Sequence, residues 1–123
     1  MADRQGAFIV WGDGEVSHTE PLSAGWHVIT ERSFDAAPTQ REDLVRTLIQ
    51  GWPEGGPSDE HLQAMLSHAS EDGFEGVRVQ VPSMNYGTRS STIVRLRDND
   101  LPVFLHAHGP PDETAFEPYG TIP

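Results

Sequence analysis

The order of strand-like and helix-like patterns is the feature that most constrains how this chain folds. Short alternating segments occupy residues 7–30 and 76–107, and two windows with helical spacing lie between them. Strands grouped on either side of helices favour an α+β domain over a parallel α/β sheet. We therefore expect a mainly antiparallel sheet with two helices on one face and an uncovered opposite face.

The strand predictions rest on alternation of apolar and polar residues and on β-branched residues. A Gly-Asp-Gly turn at residues 12–14 joins the first two segments into a hairpin. Twelve glycines and ten prolines keep the elements short. Strands are expected at residues 7–11, 15–19, 26–30, 76–81, 91–97 and 101–107.

Two helices are predicted from capping signals and apolar spacing. Thr39 and Glu42 form a capping box in front of an apolar stripe, which predicts a helix over residues 40–50 that ends at Gly51. A second helix opens at residues 58–61, and the Glu-Asp-Gly sequence at 71–73 is expected to close it.

Composition bounds the classes of function. The formal charge of −11 repels nucleic acids and anionic membrane surfaces, so neither is expected as a partner. All eight basic residues are arginines and cysteine is absent, which excludes Schiff-base lysines, disulfides and a cysteine nucleophile supplied by this chain. The length predicts a single domain over residues 1–108, followed by an acidic, proline-rich tail at 109–123 that is extended on the body or disordered. No signal peptide is visible at the first residues, so a cytoplasmic location is expected.

The densest polar cluster follows the predicted strand at 76–81. A glycine there lets the backbone approach a ligand, and the fork of Arg89 suits a carboxylate or a phosphate. The alternative is a turn held by hydroxyl-to-backbone hydrogen bonds. The candidate ligand-binding residues are Tyr86, Gly87, Thr88, Arg89, Ser90 and Ser91.

Histidines offer a second, weaker signal. His106 and His108 point to one face of a strand, with Asp112 or Glu113 nearby, as in a metal pair. Two imidazoles fall short of the three or four ligands of a zinc site, so no metal or cofactor is predicted. A Ser90–histidine catalytic pair is a further alternative, but the Gly-x-Ser-x-Gly elbow is absent.

The string YGTRSST at residues 86–92 resembles the NRDE, or transport and Golgi organisation 2-like, family. Residues 21–30 are similar to the family segment that reads Leu-x-x-Gly-x-His-Val, and the likeness runs over residues 7–108. The resemblance implies half of the αββα sandwich of N-terminal-nucleophile hydrolases. Family members begin Met-Cys and carry an Asn-Arg-Asp-Glu motif, whereas this chain has Ala2 and no such string, so it corresponds to the second half of the family fold.

The resemblance also implies site residues and partners. Glu31 stands where related amide hydrolases have an oxyanion-binding Asn, and Arg89 matches an Arg beside their nucleophile, so these two are the catalytic candidates. The first hypothesis is a domain that is non-catalytic alone and completes its sandwich as a homo-oligomer or with a second chain carrying the N-terminal half. One alternative is a small-ligand or haem-handling module, with His27, His106 or His108 as axial ligands. Another is an amide hydrolase or acyltransferase half that receives its cysteine in trans.

Overall fold

The structure, a computed structural model, describes residues 6–30, 37–97 and 99–120. Glu31, one of the two catalytic candidates, lies outside the described residues. The elements are β1 (Ala7–Gly12), β2 (Ser17–Leu22), α1 (Gln40–Gln50), α2 (Asp59–Leu66), β3 (Gln80–Val81), a 3-10 turn (Pro82–Met84), β4 (Tyr86–Gly87), β5 (Ser91–Arg95), β6 (Val103–Ala107) and β7 (Glu117–Pro118). The α+β class is confirmed, because the strands pair antiparallel and two helices lie between them in the chain.

The β1–β2 hairpin confirms the first turn prediction. Asp13 closes the turn, because its carboxylate accepts hydrogen bonds from the backbone N–H groups of Glu15 and Val16, both at 2.9 Å. The Val16 N–H, the His18 ring at 2.9 Å and the Glu15 N–H lower the pKa of Asp13 to about 2. On the hairpin surface the His18 ring stacks on Trp11 with 4.2 Å between ring centroids.

Each helix starts where its capping sequence predicts. Thr39 Oγ1 accepts from the Glu42 N–H at 3.2 Å, and Glu42 Oε2 accepts from the Thr39 N–H at 2.9 Å, as the capping box predicts. Ser58 and His61 form the equivalent reciprocal pair at the start of α2. Within the described part of the chain, neither helix has the length and apolar character needed to cross a membrane.

The prediction that α2 extends to residues 71–73 is wrong. The helix ends at Leu66, because the chain then runs beside a later segment: the Arg78 N–H donates to the His68 carbonyl at 2.9 Å, and Ala69 bridges Arg78. Gly76 allows this approach, since a Cβ there would lie 2.6 Å from the Ser70 nitrogen.

The expectation of one sheet is also corrected, because the described strands form three small antiparallel sheets: β1–β2, β3–β4 and β5–β6–β7. Residues 26–30, predicted as a strand, have no strand pairing. The Trp26 ring meets the Trp52 ring edge-on at 5.0 Å instead. Of the strand predicted at 76–81, only β3 forms a ladder.

The β5–β6–β7 sheet has a buried face and an exposed face. Ile93 and Ala107 point to the first and are 5% and 0% exposed, whereas Val94 on the second is 50% exposed. An ion pair of 3.1 Å between Arg95 and Asp59 ties β5 to the start of α2 on the buried side. The hydrophobic core of the described residues is small and comprises Ile9, Val45, Val81, Ile93 and Ala107.

The segment after residue 108 folds back onto this sheet. A turn forms at residues 110–114, where the Thr114 N–H donates to the Pro110 carbonyl at 2.9 Å. The chain then continues into β7, in which Pro118 and Glu117 pair with Leu105 and His106 of β6. The tail therefore contributes an edge strand as well as extended backbone.

Two neighbouring residues of β5 test the assignment of the faces. Ile93→Ala should lower the free energy of unfolding by about 2–4 kcal/mol, because it removes a buried side chain from a small core. Val94→Ala should change it by about 0.5 kcal/mol or less, since Val94 is half exposed. Urea denaturation of the two variants measures both values, and equal losses would contradict the assignment.

Candidate functional site

The polar cluster at residues 86–89 is held as a tight turn and a short strand. Pro82 starts the 3-10 turn, and Asn85 ends it in the left-handed conformation with φ of 49°. The chain then pairs with β3 through Val81 opposite Tyr86 and Gln80 opposite Gly87. Gly87 is required here, since a Cβ would lie 2.8 Å from the Val79 carbonyl oxygen.

A cleft of about 430 Å³ opens above this turn, within the size range of small-molecule sites. Four of the six predicted ligand-binding residues line it, and the other two do not: Ser91 begins β5 opposite Ala107, and Ser90 precedes it. The cleft is also lined by Arg78, Gln80 and Pro110, which the sequence did not identify as candidates. The residues that were predicted and line the cleft are Tyr86, Gly87, Thr88 and Arg89.

Thr88 holds the turn through its backbone N–H and its side-chain oxygen. Its N–H donates to the Val79 carbonyl at 2.9 Å, and its Oγ1 accepts from the Val79 N–H at 2.9 Å. Both backbone groups of Val79 are therefore satisfied, as the turn alternative predicts for this hydroxyl.

Phe74 positions the Tyr86 ring. It stacks on Phe74 with 6.4 Å between ring centroids, and 60% of the tyrosine remains exposed. The Phe74 loop is fixed by Asp72, which accepts hydrogen bonds from Ser70 Oγ at 2.6 Å and from the Phe74 N–H at 2.9 Å. The Ser70 hydroxyl and the N–H groups of Glu75 and Phe74 lower the pKa of Asp72, so this carboxylate stays ionised.

Arg78 forms the floor of the cleft and is itself buried, with 5% exposure. Its Nε donates to Asp112 Oδ1 at 2.9 Å and its Nη2 to Glu113 Oε1 at 3.1 Å. A third hydrogen bond joins it to the Gln80 side chain. The guanidinium charge is thus neutralised by two carboxylates before any ligand arrives.

Arg89 supplies the second guanidinium of the cleft, and this one remains available to a ligand. The residue is exposed, and within the described ranges no hydrogen bond or ion pair engages its guanidinium. The cleft therefore combines one available guanidinium, the Tyr86 hydroxyl and an adjacent apolar wall from Pro82 and Pro110. This arrangement suits an anion that carries a small apolar body.

The histidine pair lies away from the cleft, on the exposed face of the β5–β6–β7 sheet. The rings of His106 and His108 are in contact, with 4.4 Å between centroids. The acids expected beside them, Asp112 and Glu113, bind Arg78 instead. Across the described ranges, no three His, Cys, Asp or Glu side chains come together as a metal site.

The structure does not pair His106 with Ser90, which is the contact that the catalytic alternative requires. The His106 Nδ1 lies 2.8 Å from Thr92 Oγ1, the hydroxyl directly across the β5–β6 ladder. His27, a candidate axial ligand, bonds through Nε2 to the Ser23 carbonyl at 2.8 Å and lies in a different segment.

Comparisons with models of known protein families, with the sequences of characterised proteins and with solved structures return no match. The NRDE-like resemblance and the N-terminal-nucleophile fold that it implies therefore stay predictions.

The two acids that hold Arg78 should differ in their contribution to stability. Asp112→Asn should lower the free energy of unfolding by about 1–2 kcal/mol, because it weakens the more shielded partner of a buried cation. Glu113→Gln should cost about 0.5 kcal/mol or less, because Glu113 is 60% exposed and water screens its charge. Urea denaturation of each variant gives these values, and a larger loss from Glu113→Gln would refute this ranking.

Proposed function

We propose that this chain is a non-catalytic binding domain whose cleft over residues 86–89 holds a small oxyanion, a carboxylate or a phosphate. The observation that carries the proposal is the pairing state of the two arginines. Arg78 is neutralised by Asp112 and Glu113, whereas Arg89 lines the same cleft with no partner among the described residues.

The chemistry of the cleft supports an oxyanion over a neutral ligand. A guanidinium presents parallel N–H donors that match the two oxygens of a carboxylate or phosphate. The overall charge of −11 repels anions at long range, so recognition relies on this short-range contact. The resemblance to the NRDE family stays a further prediction, in which Arg89 corresponds to the arginine beside the nucleophile of the related amide hydrolases.

We propose no catalytic role for this chain alone. The chain has no cysteine or lysine nucleophile, and the Thr88 hydroxyl of the cleft is bonded to the backbone of Val79. The hydrolase alternative needs a cysteine from a second chain, and it would use Arg89 to orient the substrate.

Replacing Arg89 tests the ligand proposal. Acetate, citrate and inorganic phosphate are titrated into nitrogen-labelled protein, and heteronuclear NMR follows the amide signals of Gly87 and Thr88. At least one of these anions should shift both signals in the wild type. Arg89→Gln should weaken the binding about 10-fold or more, the usual effect of losing a charge-assisted hydrogen bond.

Arg46→Gln is the matched control, because Arg46 is exposed on α1 and lies outside the cleft. It removes the same charge and should leave the affinity unchanged. Equal weakening by both substitutions would show a general charge effect and refute the site. If none of the three anions moves the Gly87 and Thr88 signals, the ligand proposal is wrong.

A second candidate function is assembly with another chain through the exposed face of the β5–β6–β7 sheet. Val94 and Tyr119 are 50% and 58% exposed on this side of the domain, while the core of the described residues is small. A covering layer would bury this apolar surface, as the sandwich hypothesis requires. We favour a basic partner chain over a second copy, because two chains of charge −11 repel each other.

Native mass spectrometry of the protein isolated gently from its source tests the assembly. A second polypeptide should be bound, and it should be released by salt and by Val94→Asp. Val10→Asp is the matched control, since Val10 is 55% exposed on the β1–β2 hairpin. A monomer or a homodimer, or loss of the partner in both variants, would contradict a basic partner on this face.

A further inference from the structure

Three aromatic rings meet at one end of the exposed face of the β5–β6–β7 sheet. His106 lies on the exposed face of β6, and His108 follows one residue after the end of this strand. Their ring centroids are 4.4 Å apart, and the Tyr119 ring lies 5.1 Å from His106 and 5.6 Å from His108. His108 and Tyr119 are exposed, so a solvated ion can reach the cluster.

His106 is oriented by a hydrogen bond behind it. Its Nδ1 lies 2.8 Å from Thr92 Oγ1 on the neighbouring strand. When the Nδ1–H donates to this hydroxyl, Nε2 carries the lone pair that a metal needs. Metal-binding histidines commonly have such an outer hydrogen bond, which fixes both the tautomer and the ring orientation.

The backbone keeps this cluster together. The Tyr119 N–H donates to the Phe104 carbonyl at 2.9 Å, which places Tyr119 beside β6, the strand that carries His106 and leads into His108. Glu117 pairs with His106 in the same sheet. Backbone hydrogen bonds between β6 and residues 117–119 therefore keep the phenol beside the two imidazoles.

We propose that His106 and His108 chelate a divalent transition-metal ion, with copper preferred. Imidazole nitrogens suit copper, nickel and zinc, and copper binds most tightly to a given set of nitrogen and oxygen ligands. Water completes the coordination, because the described residues supply no third His, Cys, Asp or Glu ligand. The charge of −11 attracts cations to the protein.

The test titrates Cu²⁺ into the untagged protein, in a glycine buffer that competes with isolated imidazoles. Calorimetry should give one ion per chain, and electron paramagnetic resonance should show hyperfine coupling to two imidazole nitrogens. His108→Ala should weaken this binding about 10-fold or more and remove the two-nitrogen pattern. Thr92→Val should weaken it about 10-fold while both ligands remain, because the outer hydrogen bond is lost.

His68→Ala is the matched control, because His68 is also an exposed histidine but lies between α2 and β3, away from the cluster. It should leave the affinity and the spectrum unchanged. Far-ultraviolet circular dichroism checks that each variant is folded. Equal weakening by His68→Ala and His108→Ala, or a wild-type spectrum without two-nitrogen coupling, would overturn the proposal.

Discussion

The buried guanidinium of Arg78 is the interaction on which the rest of the structure depends most. It joins segments that are far apart in the sequence, because Asp112 and Glu113 lie 34 and 35 residues further along the chain. Removing a charged group from water is costly unless its hydrogen bonds are replaced, and here two carboxylates and the Gln80 amide replace them. The cost of desolvating Arg78 therefore links its burial to the position of the 110–114 turn.

The small core explains why polar links of this kind matter. The five apolar residues that are buried among the described residues are spread over five different elements. Arg41 in α1 reaches the Gly76 carbonyl at 2.8 Å, and Arg95 in β5 reaches Asp59 at the start of α2. Arginine suits these links, since its rigid fork satisfies several acceptors at once.

The parts of the fold that sequence predicts are those with local causes. The start and end of α1 follow from Thr39, Glu42 and Gly51, and the first hairpin follows from its Gly-Asp-Gly turn. Residues 26–30 have equally good alternation, but they join no strand ladder among the described residues, and Trp26 contacts Trp52 instead. Local and long-range causes also differ in the cleft. The cluster at 86–89 is predictable because it is a run of polar residues in the sequence. The role of Arg78 is not predictable in this way, because its partners come from the distant 110–114 turn. A lone arginine within the alternating valines of residues 77–81 was the available signal for a buried, paired charge.

The segment from His108 to Glu113 connects the two proposed binding sites. His108 stands at its start on the exposed sheet face, Pro110 lines the cleft, and Asp112 holds the floor of the cleft through Arg78. Gly109 lies between them against Thr114, and a Cβ at this position would clash with the Thr114 hydroxyl oxygen. An ion on the histidine pair and an anion in the cleft would therefore both lie beside the same short segment.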